Sequence, residues 1–130
     1  MSYGMSLTLA RPFDDVVASV RDALAQQGFG IVSEIDMQRT LHDKIGVEIN
    51  RNLILGACNP GFANRALQAE PSIGLLLPCN VVVRGTEGGT VVEMIDPQIM
   101  VDLAENSEMQ QIADEVAGKL SAALDNLRAE

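Results

Sequence analysis

The 130-residue chain has no tryptophan, one tyrosine and three phenylalanines, so aromatics make up only 3% of it. A core without aromatics must be built from Leu, Ile, Val, Ala and Met. Nor can so few rings form a platform on which bases stack. Basic residues are also scarce: nine Lys and Arg stand against eighteen Asp and Glu, for a net charge of −9, and no Lys/Arg run occurs. That balance repels nucleic-acid phosphates and anionic lipid, and it excludes a nucleic-acid partner. There is one histidine, His42, which excludes a multi-histidine zinc site within one chain. The two cysteines form no Cys-x-x-Cys. Also missing are a Gly-x-Ser-x-Gly elbow, a P-loop and a dinucleotide fingerprint. The longest apolar stretch, Ile73 to Pro78, is too short to span a bilayer, and Met1 to Ala10 lacks a basic n-region. The expectation is a cytoplasmic protein with no membrane partner, whose cysteines are thiols and not a structural disulfide.

What is present is a chain 47% hydrophobic, too apolar to be disordered. Its length fits a single domain spanning residues 1–130 with one core, large enough to fold without disulfides or metal. Tyr3, Met5, Leu7 and Leu9 alternate with small residues and predict a strand over Tyr3 to Ala10. Pro12 suits a first helical turn, Asp14 and Asp15 complement its dipole, and Phe13, Val16, Val17, Val20 and Leu24 recur at helical spacing up to Gly28. A strand from Gly30 to Asp36 follows, then a short helix from Met37 to Ile45 that Asp36 caps and Gly46 ends. Further strands are predicted over Arg51 to Ala57, Asn80 to Arg84 and Thr90 to Ile95, the last two joined at Glu87-Gly88-Gly89. A short helix covers Phe62 to Ala69, and Asp96-Pro97 stops the last strand. Ser107 with Gln110 matches a capping box for a long helix, whose stripe is Met109, Ile112, Ala113, Val116, Leu120, Leu124 and Leu127.

This order predicts a two-layer α+β fold, a mainly antiparallel sheet with two long amphipathic helices on one face. The other face is left open or meets a second subunit, with Val81, Val83 and Val91 as candidates to furnish it.

Cys58 and Cys79 are the residues most suggestive of chemistry. Both precede asparagine, in Cys58-Asn59-Pro60 and Pro78-Cys79-Asn80. If their strands are antiparallel neighbours, both thiols lie at one sheet end, where Asp96 also falls. One rim then gathers two thiols, two carboxamides and a carboxylate. Such a set reads as a thiol redox pair or part of a soft-metal site. The structural alternative is two small buried hydrophobes, as free cysteine commonly is. His42 lies toward the opposite sheet end, on the exposed side of its helix, which argues against a cysteine-hydrolase pair. Glu34 and Glu93 sit in strands; each faces solvent, or in the case of Glu93 a dimer cleft.

Three runs carry a resemblance: Gly28-Phe29-Gly30-Ile31 through Glu34-Ile35-Asp36, Leu55-Gly56-Ala57-Cys58-Asn59-Pro60, and Arg65-Ala66-Leu67 with Glu70-Pro71 and Leu75-Leu76-Leu77-Pro78-Cys79-Asn80-Val81. Together they resemble domain-of-unknown-function family 302, from about Met5 to the last helix. The resemblance implies a fold similar to the TATA-binding-protein-like class, strand–helix–four strands–helix with short helical insertions, and a homodimer. It brings no established activity, no known cofactor and no implication of DNA binding. It also suggests a shared site at Cys58, Asn59, Cys79 and Asn80. Three functions compete: a dimeric module binding a small ligand or metal at Cys58, Asn59, Cys79, Asn80, Asp96 and Glu34; a thiol-based redox or persulfide-handling protein using Cys58 and Cys79; and a regulatory protein-interaction domain.

Overall fold

In a computed structural model that describes residues 2–130, the first strand, β1 (Gly4–Leu9), leads through Pro12 into α1 (Phe13–Gln26). Pro12 occupies the N-cap, where a missing N–H costs nothing. Val16, Val20, Ala23 and Leu24 form the buried stripe of α1. Gly28, at φ 84°, closes the helix: its N–H donates to the Ala25 carbonyl and that of Phe29 to the Leu24 carbonyl, both at 3.0 Å. These are the two bonds of a Schellman cap, and the left-handed conformation favours glycine there.

β2 (Gly30–Asp36) runs straight into α2 (Met37–Ile45). The junction holds because the Asp36 carboxylate accepts the Arg39 N–H at 3.0 Å, and Gly46 ends the helix at φ 67°. β3 (Asn52–Cys58) then passes into α3 (Pro60–Ala69), followed by a 3-10 turn at Pro71–Leu76. The hairpin of β4 (Cys79–Thr86) and β5 (Gly89–Ile95) precedes α4 (Gln98–Ala104) and the long α5 (Met109–Ala129).

The five strands form one antiparallel sheet in the order β1-β5-β4-β3-β2. Alternation sends Leu53, Leu55 and Ala57 of β3, Cys79, Val81 and Val83 of β4, and Val92 and Met94 of β5 to the helix-covered face, all buried. Against them lie the stripes of α1 and α5, with Val16, Val20, Leu24, Leu120 and Leu127 fully buried. Each such aliphatic contributes roughly 1.5–3 kcal/mol through burial. The α+β architecture and the covering of one sheet face therefore follow the sequence expectation.

Four details differ. Val81 and Val83 lie under the helices at 0% exposure, and the open face instead carries Val82, which pairs with Ile54 and Glu93. Three consecutive valines have no alternation of their own, so register with β3 decides which two turn inward. Val91, opposite Arg84 and Thr8, does lie on the open face. Secondly, Asp96-Pro97 does not merely stop β5: the Asp96 carboxylate accepts the Gln98 N–H at 3.0 Å and starts α4. Thirdly, Pro71–Leu76 forms a 3-10 turn, an element that the sequence reading did not include. Lastly, the capping box does not form. Gln110 reaches across to Gln98 at 2.7 Å instead, so a tertiary amide pair takes the group that local capping would use.

Candidate functional site

The rim where β3 ends and β4 begins is the most chemically distinctive place in the molecule. Ala57 and Cys79 are direct partners across the two strands. The chain leaves β3 through Cys58 and Asn59 and turns at once into α3, with Pro60 at its first position. It returns to β4 through Leu77 and Pro78, joined by a cis peptide bond. α3 therefore starts at the rim, while its far end is held by Asn106, whose Nδ2 donates to the Ala69 carbonyl at 3.0 Å. Between α3, the start of α5 and the sheet lies a cavity of about 330 Å³.

Its walls come from Phe62, Ala66 and Leu67 of α3, Met109, Ile112 and Val116 of α5, and Ala57, Cys58 and Cys79 at the rim. Met100 of α4 and Phe29 also contribute. A graded exposure gives it a floor and a mouth. Cys79 is 6% exposed and Met109 1%, whereas Leu67 is 43% and Val32 65%. Cys58 is half-buried. Both cysteines are free thiols. Burial pushes the Cys79 thiol up from 9.0 to about 11, with the Cys58 charge adding to the effect. Cys79 is therefore protonated at neutral pH, and its thiol has no hydrogen-bond partner among the described residues. The cavity holds no carboxylate and no imidazole; apart from the thiols, Asn59 is its one polar side chain. Even that group is engaged, donating from Nδ2 to the Gln27 carbonyl at 3.3 Å. A Cβ at residue 28 would lie 3.0 Å from this nitrogen, a second reason for glycine at the end of α1.

The family model for the domain of unknown function DUF302 matches residues 5–127. The chain belongs to the DUF302 family. Among solved structures, the crystal structure of an uncharacterized conserved DUF302 protein from Bacillus stearothermophilus is similar over 98% of this chain and 99% of its own, at 25% identity and a TM-score of 0.91. No curated protein matches the chain. No helix among the described residues is long and apolar enough to cross a membrane.

On this DUF302 fold the six candidate residues separate. Cys58, Asn59 and Cys79 share the cavity. Asn80 follows Cys79 by one residue and so points to the open face, where it lines a shallow groove with Tyr3, Val82 and Glu93. Asp96 stands at the same sheet end, but its N–H donates to the Tyr3 carbonyl at 2.8 Å and its carboxylate caps α4. Glu34 forms an ion pair with Arg21 of α1 at 2.9 Å and does not line the cavity. Glu93 is held on the open face by Arg84 at 2.9 Å. His42 is exposed beside Asp43, at the far end of β3 from the thiols. Among the described residues no group of three or more His, Cys, Asp or Glu side chains could hold a metal. Reasoning from the sequence missed the helical walls. Met109, Ile112 and Val116 carried a core signal that was legible, whereas Met100 lies in a helix that was not foreseen.

Proposed function

We propose that this DUF302 chain is a binding module, one cytoplasmic domain that works as a homodimer and takes a small ligand into the cavity beneath α3, away from water. The observation that carries this reading is the cavity itself: about 330 Å³, apolar-walled and bounded by partly exposed Val32 and Leu67. That volume lies at the small end of ligand sites, which are mostly apolar with few polar groups. Binding is favoured over catalysis because the wall offers no carboxylate or imidazole to move a proton. A redox or persulfide role is less well supported, because a thiol pushed up to about 11 supplies little thiolate at neutral pH. The homodimer is supported by the open sheet face, where Val82, Ile54 and the Arg84–Glu93 pair lie without a covering layer. Reduced thiols fit a cytoplasmic setting.

The test is thermal unfolding with benzene as a neutral apolar probe, in the native chain and in Ala66→Leu. Ala66 is buried on α3 and lines the cavity, so leucine there fills it. A probe that binds the folded state must raise its stability. The expected result is a benzene-dependent rise in Tm that Ala66→Leu abolishes. No rise in the native chain, or the same rise in both proteins, would sink the reading.

A further inference from the structure

One feature of the cavity goes beyond shape. Both cysteines of the chain and two of its six methionines, Met100 and Met109, line the same 330 Å³ space. The four sulfurs come from separate elements: the end of β3, the start of β4, α4 and the start of α5. Cys79, Met100 and Met109 are buried and Cys58 is half-buried, and Cys58 directly follows Ala57, the strand partner of Cys79.

Building on the ligand-site reading of this cavity, we infer that its occupant is a soft monovalent cation, Cu(I) or the analogous Ag(I), bound by Cys58 and Cys79 with the thioethers of Met100 and Met109. Thiolate and thioether sulfur together select Cu(I) among the common metals, whereas Mg, Ca and Mn require a set of oxygen donors, of which the side chains of this wall offer only the Asn59 carboxamide. Methionine's flexible side chain lets Met100 and Met109 swing toward an ion in a space larger than the ion itself. As the two S–metal bonds form, the S–H bonds of Cys58 and Cys79 break and both protons pass to solvent; the ion keeps its oxidation state, and no oxidant or reductant takes part. The unpartnered Cys79 thiol thereby gains a partner.

The experiment titrates the reduced, oxygen-free protein with Ag(I), follows thiolate-to-metal absorption in the ultraviolet, and then measures Cu(I) affinity by competition with a colorimetric chelator. One ion per chain is expected. Met100→Leu/Met109→Leu keeps volume and apolar character, a swap that protein cores tolerate, so the fold persists. It should nevertheless weaken Cu(I) binding by more than the roughly 10–100-fold that losing a mere orienting neighbour costs. Full affinity in this double variant would make the methionines filler and overturn the inference. So would unchanged uptake in Cys58→Ala/Cys79→Ala. Benzene binding without uptake of Ag(I) or Cu(I) would overturn the inference and leave the cavity reading intact; loss of both would remove both.

Discussion

Raising the pH from 8 to 12 should destabilise this protein through Cys79. The folded state holds its thiol protonated up to about 11, against 9.0 for the ordinary group, because burial disfavours the charged form. Between those values the unfolded chain releases a proton that the folded chain retains. Stability is therefore fully present below pH 9 and falls as pH rises through the window. The slope is about 1.4 kcal/mol per pH unit at its steepest, or about 3 kcal/mol in all. That is a large share of the roughly 5–15 kcal/mol of a typical domain. The assay is urea unfolding under reductant at half-unit pH steps, comparing the native chain with Cys79→Ala. Other groups that titrate above pH 9 are common to both proteins, so the difference between the two curves isolates Cys79. The native chain should lose its advantage across the window while the variant runs flatter. Parallel curves from pH 8 to 12 would refute the reasoning, and with it the placement of Cys79 on a buried cavity floor.

Gly56 faces the open side of the sheet, where a Cβ would strike the Ser33 hydroxyl and the Pro78 ring, the latter at 2.7 Å. Gly56→Ala should cost about 1–3 kcal/mol by overpacking, read as a fall in the urea midpoint. Asp36→Ala removes the side-chain cap of α2 and should cost about 1 kcal/mol in the same assay, with the loss concentrated in amide exchange over Met37–Ile45. On the proposed dimer, Val82→Lys places a charge on the open face and should shift the sedimentation coefficient to that of a monomer without loss of helical circular dichroism. A variant that still sediments as a dimer would move the interface elsewhere.

Elements with strong period or strong punctuation were legible in the chain. α5 carries an apolar stripe through 21 residues, and every member of the foreseen stripe is buried. α2 announces its own start with Asp36 and its end with Gly46. The convergence of the two thiols at one rim was also legible, because Cys58 closes one strand and Cys79 opens the strand beside it. What escaped was whatever depends on neighbours distant in sequence. Val81-Val82-Val83 can turn either way until β3 sets the register. α4 begins at a proline after aspartate, a pair that reads as a stop yet here supplies both the cap and the first turn. Gln110 is drawn from its local cap by Gln98. The cavity itself has no local signature, because its walls come from α3, α4, the start of α5 and the rim, elements distant in sequence.

Cys58 and Cys79 share one cavity, Cys58 nearer its mouth and Cys79 on its floor. Labelling of the native protein at pH 8 with a small thiol reagent, read residue by residue by mass spectrometry, tests it most directly. Cys58 should react in the folded state, Cys79 only on unfolding, and Ala66→Leu should slow Cys58. Cys79 reacting first, or a Cys58 rate indifferent to filling of the cavity, would contradict it.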